Sequence, residues 1–250
     1  LKGNAEISAS LIIDVGNTLT KVAIFVDREM MDLKSTGEIV LEYVTQFVRQ
    51  YKPANAIIST VGKNNPDVIQ YLKGALTLYE LTNSTPIPIT NLYKTPKTLG
   101  KDRLAAVVAA FEEFNGRNCL VIDMGTCITY DFINNSGEYL GGGISPGLSL
   151  RFKSLHTFTS RLPLVRQRNF TGLIGASTDE SILSGVINGT IAEIDGIIGQ
   201  YGEKYPDMAV VVTGGDMNYF DKKLKNSIFA VPNLVLKGLN KILDFNVSEQ

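Results

Sequence analysis

Apolar positions along this chain form short unbroken runs broken by tight turns, and these runs alternate with stretches of helical period. Residues 11–14 and 21–25 read as two strands joined by a Gly-Asn turn. Ile39, Tyr43, Phe47 and Val48 then recur at helical spacing, and residues 56–61 form an apolar strand running into Gly62, so the first half has β-β-α-β order. Pro86, Pro88 and Pro96 punctuate a loop-rich connection, after which alanine-rich residues 102–114 predict a helix. The pattern restarts near Asn118 with a strand, a turn at Asp123-Met124-Gly125-Thr126, a strand to Ile133, a turn at Asn134-Asn135-Ser136-Gly137 and a third strand over 138–140. The run Gly141-Gly142-Gly143-Ile144-Ser145-Pro146-Gly147 leads into a helix through His156. Residues 178–201 predict a long helix whose Gly185, Gly189 and Gly196 weaken it and therefore point to close backbone packing or ligand approach. Residues 209–213 form a buried strand ending in Thr213-Gly214-Gly215-Asp216, and 234–242 form a closing helix. The expected architecture is α/β, two halves at 11–115 and 116–245, each a mixed sheet with flanking helices. Residues 1–10 are set aside as a frayed tail.

The two halves share a motif. Asp14-Val15-Gly16-Asn17-Thr18-Leu19-Thr20-Lys21 follows an apolar run, and Asp123-Met124-Gly125-Thr126-Cys127 follows another about a hundred residues later. In a hairpin this order sets a carboxylate at the end of a buried strand and turns the chain at glycine, aiming backbone N–H groups and hydroxyls at one spot. That is a phosphate cradle, and the carboxylate beside it suits the hard cation that a nucleotide triphosphate carries. One such turn alone carries little weight, because Gly and Asp also serve ordinary hairpins. Two copies at domain spacing, with the Thr-Gly-Gly-Asp turn near 213, point to a nucleotide-binding protein.

Composition narrows the setting. A 250-residue chain with 44% hydrophobic and 20% charged residues has material for a sizeable core. A net charge of −1 gives no long-range field for nucleic acid or anionic lipid, and the basic clusters near 161–168 and 222–225 are short, so neither partner is expected. Cys119 and Cys127 form no metal or disulfide pattern and read as small apolar strand residues. No unbroken apolar run approaches the ~20 residues of a membrane span. The first residues lack a basic segment followed by an apolar one, and the cytoplasm is the expected compartment.

Acceptor chemistry falls on Tyr93-Lys94-Thr95-Pro96-Lys97-Thr98-Leu99-Gly100-Lys101-Asp102-Arg103-Leu104. Asp102 could be no more than a carboxylate favoured at a helix N-terminus, with Arg103 a solvated neighbour. The chemical reading sets an acidic base beside a guanidinium that can fork onto a carboxylate, which suits a substrate bearing both a hydroxyl and an acid group. The single histidine, His156, has no nucleophile or metal partner in sequence and reads as structural. Arg161 and Arg166 read as a solvated helix end.

Together the turns resemble the acetate and sugar kinase, actin and heat-shock ATPase superfamily, with its two actin-like, ribonuclease H-like halves and an active site in the cleft between them. From residue 11 to 242 the chain closely resembles type III pantothenate kinase. The resemblance rests on Asp14 to Thr18 with Lys21, the Tyr93 to Arg103 run, Asp123 to Thr126 with Thr129 and Asp131, and Gly141 to Gly147. It continues through Thr159-Ser160-Arg161-Leu162-Pro163, Thr178 through Gly185, Thr213 to Asp216, and Pro232 to Leu239. It implies transfer of the ATP γ-phosphate to the 4′-hydroxyl of pantothenate, the first step toward coenzyme A, by a homodimer. By the same resemblance Asp14, Val15, Gly16, Asn17, Thr18, Leu19, Thr20 and Lys21 form the ATP phosphate loop, and Thr126 meets phosphate from the second turn. Tyr93, Gly100, Lys101, Asp102, Arg103 and Thr178 bind pantothenate, Asp102 being the proton acceptor. Asp123 holds a monovalent cation, potassium or ammonium, and Asp14 is a ligand for magnesium. The chain departs from many relatives at Thr95, where they have Asn, and at Cys127, where they have Ala. Rival readings are a sugar kinase or phosphatase of the same superfamily, and a non-catalytic nucleotide-binding regulator, the family having also been labelled a Bvg accessory factor.

Overall fold

The structure, a computed structural model, describes residues 9–62 and 65–248. The chain divides into two units, one of residues up to Glu113 together with those from Asn233 onward, the other Phe114–Pro232. The residue pair 63–64, residues 1–8 and residues 249–250 lie outside the described residues.

In the first unit the strands are β1 (Ala9–Val15), β2 (Thr20–Val26), β3 (Glu29–Thr36), β4 (Asn55–Thr60) and β5 (Thr77–Glu80), in the sheet order β3-β2-β1-β4-β5. A short strand, β6, follows at Thr90–Asn91. β1, β2 and β3 form an antiparallel meander, whereas β4 runs parallel to β1 and β5 parallel to β4. Unbroken apolar runs suit β1 and β4 because both faces are covered. Leu11, Ile13 and Val15 pack with Val44 and Phe47 of α1 (Leu41–Tyr51) and Val68 and Leu72 of α2 (Pro66–Ala75). Ile12 and Ile57, on the other face, pack with Ala105 and Val108 of α3 (Lys101–Glu113) and with Leu236, Leu239, Ile242 and Leu243 of α7 (Leu234–Ser248). The alanines of α3 have a geometric cause. A side chain at Gly238 would lie 1.8 Å from the Ala105 carbonyl oxygen, so α3 and α7 meet backbone to backbone.

The second unit repeats the topology. Its strands are β7 (Cys119–Met124), β8 (Cys127–Ile133), β9 (Glu138–Pro146), β10 (Ala209–Thr213) and β11 (Phe229–Ala230), in the order β11-β10-β7-β8-β9. β7, β8 and β9 are again an antiparallel meander, with β10 parallel to β7 and β11 parallel to β10. Helices α4 (Leu148–Thr157), α5 (Thr178–Lys204) and the single turn α6 (Met217–Phe220) cover one face, where Leu120, Ile122, Met124, Val210 and Val212 meet Phe152, Leu183, Ile187 and Ile198. α5 is long and apolar enough by length and composition to cross a membrane, a property the search for unbroken apolar runs does not detect. Its buried stripe belongs to this core.

Several elements differ from the sequence expectation. β1 begins at Ala9, inside the stretch set aside as a tail. β3 is absent from the predicted order because it is largely exposed and so shows no apolar alternation. Its turn uses Asp27 and Arg28 at φ 48° and 70°, left-handed positions usually signalled by Asn-Gly. β9 continues through the glycine run to Pro146, where the pattern predicts a lead-in to a helix. A side chain at Gly142 would collide with the Tyr130 carbonyl at 1.6 Å, so glycine here serves close strand approach. The closing helix groups with the first unit rather than the second half, because its apolar stripe covers Ile12 and Ile57. Cys127 is exposed, while Cys119 is buried and its thiol is pushed up to about 12 by burial. Arg161 and Arg166 are exposed beyond the end of α4, in an irregular segment, and His156 Nδ1 lies 2.8 Å from the Leu162 carbonyl oxygen, a structural contact.

The glycines of α5 have no packing role: side chains at Gly185, Gly189 and Gly196 would meet nothing within 4 Å. Gly196 is exposed in mid-helix, so Gly196→Ala should stabilise the protein by about 0.5 to 1 kcal/mol through backbone entropy alone. Thermal unfolding reads this as a raised midpoint, and a lowered midpoint would show that this position needs glycine.

Candidate active site

Both duplicated motifs fold as hairpin turns at the end of the first strand of a sheet. In the first unit Asp14 stands opposite Lys21 across the β1–β2 pair, and the Gly16 N–H donates to the Leu19 carbonyl at 3.0 Å. Asn17, Thr18 and Leu19 are exposed at the tip, Val15 and Thr20 are buried at its base, and Asp14 is half-buried. The chain leaving β4 backs this turn. Val61 and Gly62 both donate N–H groups to the Val15 carbonyl, at 3.0 and 3.1 Å, and a side chain at Gly62 would strike the Gly16 carbonyl oxygen at 2.4 Å. Lys21 Nζ donates to Asn233 Oδ1 at 3.0 Å, a partner 212 residues away that no local pattern announces. On the neighbouring strand Ser59, fully buried, stands in register with Asp14.

The second turn is built alike. Asp123 stands opposite Thr129 in β8 and Thr213 in β10, and the Gly125 N–H donates to the Cys127 carbonyl at 3.0 Å. Thr126 is exposed at the tip and Asp123 is half-buried. Two glycines press on this turn. The Gly147 N–H donates to the Thr126 carbonyl at 3.1 Å, and a side chain there would meet the Gly125 and Thr126 carbonyl oxygens at 2.2 and 2.6 Å. Gly214, at φ 98°, leaves room for neither the Met124 carbonyl at 2.4 Å nor Asp123 Oδ1 at 2.5 Å if it carried a side chain. The late Thr-Gly-Gly-Asp turn thus lies directly against the Asp123 carboxylate, and the Asp216 N–H donates to the Met124 carbonyl at 2.9 Å. Burial raises the Asp216 carboxyl above its usual range, against a lowering hydrogen bond from Gln167.

The acceptor motif sits in the first unit. A single 3-10 turn at Pro96–Thr98 leads through Leu99 and Gly100 into α3. Asp102 Oδ1 accepts the Arg103 backbone N–H at 2.9 Å, so the carboxylate folds over the start of its own helix, where the macrodipole favours it. A side chain at Gly100 would lie 2.4 Å from that oxygen, so it would push the Asp102 carboxylate from this position. Arg103 is 6% exposed, not the solvated neighbour of the simpler reading, and its guanidinium carbon lies 5.8 Å from the centre of the Tyr93 ring. Tyr93, Gly100, Lys101, Asp102 and Arg103 are therefore gathered at one end of α3.

Thr178 is the first residue of α5, in the second unit. Ser177 accepts the Glu180 N–H at 3.3 Å and Glu180 Oε2 accepts the Ala176 N–H at 2.8 Å, a reciprocal cap that fixes the helix start. Thr178 is exposed and lines a cavity of about 570 Å³ with Arg151, Leu155, Leu162, Ile182 and Val186. Among the described residues no group of three or more His, Cys, Asp or Glu side chains could hold a metal ion by protein ligands alone. Asp14 and Asp123 are single carboxylates beside the two hairpin turns, an arrangement that fits a cation sharing its ligands with an anionic substrate and water.

Comparison with known proteins agrees with this geometry. The family model of type III pantothenate kinase matches residues 10–200. The type III pantothenate kinase of Bacteroides fragilis is 47% identical over 238 residues, covering 95% of this chain and 98% of that protein. The one from Christiangramia forsetii is 44% identical over 244 residues, covering 96% and 100%. Among solved structures, a conserved Baf family transcriptional activator from Campylobacter jejuni superposes with a TM-score of 0.55 at 24% identity, covering 95% of this chain and 99% of that one. A ROK family glucokinase from Streptomyces griseus, solved with glucose and AMPPNP, gives 0.53 at 10% identity, covering 95% and 100%. At such identities the likeness shows the fold alone, the two-unit actin-like kinase fold. With the family model matching residues 10–200 and sequence agreement with its members over nearly its whole length, the chain belongs to the type III pantothenate kinase family.

Proposed function

We propose a division of labour for a chain whose family membership makes it an ATP:pantothenate phosphotransferase, the enzyme of the first step of coenzyme A biosynthesis. The turn at residues 14–21 and Thr126 of the second turn bind the ATP phosphates, offering backbone N–H groups and hydroxyls at exposed tips on rigid, glycine-backed bases. Tyr93, Gly100, Lys101, Asp102, Arg103 and Thr178 bind pantothenate. Arg103 takes its carboxylate, since a guanidinium presents a planar fork that ammonium cannot reproduce. Asp102 accepts the proton of the 4′-hydroxyl as the bond to phosphorus forms. What supports this reading above all is the pairing of Asp102, held over its helix start, with a buried arginine beside Tyr93. A nucleotide-binding regulator has no use for such a pair.

Phosphoryl transfer to an alcohol demands little covalent chemistry of the protein, so alignment and charge stabilisation supply most of the rate. Magnesium at Asp14 and a monovalent cation, potassium or ammonium, at Asp123 would neutralise phosphate charge when bound. The fit rests on hard oxygen donors and on the placement of the Asp123 carboxylate against Gly214 and the second turn. A homodimer completes the reading. Phe158, Leu173 and Ile174 are 84%, 79% and 87% exposed in the second unit, large apolar side chains of the kind a two-fold interface with a second copy would cover. Light scattering reads the dimer mass directly, and a monomer would remove this part of the proposal. The cytoplasm, where nucleotide and pantothenate are at hand, is the proposed compartment.

Asp102→Asn should lower pantothenate-dependent ADP release by about 10²- to 10⁴-fold while ATP affinity stays within a fewfold of the parent. Near-parental turnover in that variant would remove the base assignment. Asp123→Ala should abolish activation by potassium, measured as turnover with and without the salt at constant ionic strength. A variant that responds to potassium as the parent does places the cation elsewhere.

A further inference from the structure

Glu193, in the middle of α5, stands outside every motif considered so far. Its carboxylate gathers three elements of the second unit. Tyr130 of β8 donates its hydroxyl to Glu193 Oε1 at 2.9 Å, Ser145 of β9 donates to the same oxygen at 2.5 Å, and Arg151 of α4 donates Nη2 to Oε2 at 2.5 Å. Arg151 also donates Nη2 to Ser145 Oγ at 2.7 Å and Nε to the Pro146 carbonyl at 2.7 Å. Both members of the ion pair are only about a quarter exposed, at 21% and 27%. Burial alone would raise the Glu193 carboxyl, but the hydrogen bonds from Ser145, Arg151 and Tyr130 outweigh it and hold it below its usual range.

What the network grips is the corner where β9 ends. Ser145 and Pro146 stand in register with Ile128 and Cys127, the first residues after the second phosphate turn. The next residue, Gly147, donates its N–H to the Thr126 carbonyl and lies so close to the Gly125 and Thr126 carbonyls that no side chain fits. A corner pressed on a turn at that distance transmits its own position to the turn. Two hydroxyls and a guanidinium converging on one carboxylate are more than α5 needs for packing, which its apolar stripe already supplies.

We propose that Glu193 and Arg151 are positioning residues for phosphoryl transfer: their ion pair locks the Ser145-Pro146-Gly147 corner against Gly125 and Thr126 and so fixes the second phosphate turn. Arg151 also walls the cavity that Thr178 lines, so the same guanidinium joins the phosphate turn to that cavity. The inference rests on the assignment of Thr126 to ATP phosphate. Neither Glu193 nor Arg151 touches a reacting atom; both act through backbone.

The test compares Glu193→Gln and Arg151→Lys with Asp195→Asn, on the intact protein. Asp195, two residues further along α5, holds the Lys225 and Asn226 N–H groups and is distant in role from the phosphate turn. Glu193→Gln keeps the volume and an acceptor oxygen but loses the charge. Arg151→Lys keeps the charge but cannot serve Ser145, Pro146 and Glu193 together. Each should lower kcat by about tenfold to a hundredfold and raise the KM for ATP, with the KM for pantothenate held within about twofold in Glu193→Gln, whose side chain does not line the Thr178 cavity. The double variant should lose no more than the worse single one, because both act through one corner. Asp195→Asn should lower the melting temperature without changing kcat per folded molecule. If Glu193→Gln and Arg151→Lys behave like Asp195→Asn, with parental kcat and ATP KM, the network is structural and the proposal falls. Calorimetric ATP affinity separates the two assignments. A Thr126→Ala variant that binds and turns over ATP as the parent does overturns the reading of the second turn itself, whereas a defective Thr126→Ala beside a parental Glu193→Gln overturns only the positioning role.

Discussion

Close approach of backbone to backbone, permitted by glycine, is the constraint on which the rest of this structure depends. Gly62 against Gly16, Gly147 against Gly125 and Thr126, and Gly214 against Met124 and Asp123 each leave less than 3 Å for a side-chain carbon that is not there. A phosphate-binding turn must expose its N–H groups and hydroxyls at a tip, and an exposed tip is mobile unless its base is held. Here the base is held by chain rather than by side chains. A backbone contact has no rotamers to relax, so a turn held this way has less freedom to lose on binding. The parallel strands β4 and β10 are what bring Gly62 and Gly214 to those turns, so the sheet order serves the turns directly.

The same logic explains why the two units share a topology while differing in chemistry. In each, an antiparallel meander supplies the Asp-Gly turn, and a parallel fourth strand brings a glycine behind it. The first unit adds Lys21, tied to Asn233, and the acceptor group at the start of α3. The second adds the Gly214 turn, the capped N-terminus of α5 at Thr178, and the Glu193–Arg151 network. On the proposed assignment, donor and acceptor binding rest on turns and helix ends rather than on long loops, which suits a reaction whose rate comes from alignment.

Much of this was legible in the chain. The two Asp-Gly turns were readable because an apolar run, a carboxylate and a glycine are local in sequence, and both fold as hairpins with Asp14 and Asp123 at strand ends. The start of α3 with Asp102 was readable for the same reason, although the burial of Arg103 was not, because it depends on the covering of α3 from Arg103 to Ala110. Other features left no local trace. β3 is a largely exposed edge strand with no apolar alternation, and α7 shows its helix but not which unit it joins. The glycines of β9 and α5 look alike in sequence, yet Gly142 is compelled by the Tyr130 carbonyl and Gly196 by nothing. The Glu193 network joins residues up to 63 apart, each ordinary where it stands. Long-range partners of unremarkable residues are what pattern reading loses.

The central proposal assigns ATP phosphate to the turn at residues 14–21 and to Thr126. Residue-resolved amide hydrogen exchange, with and without saturating ATP and magnesium, reads it without disturbing the fold. The account predicts that ATP slows exchange at the amides of residues 15–20 and 124–127 together, with the same dependence on ATP concentration in both. Protection confined to one turn, or half-saturation at clearly different concentrations, would contradict it.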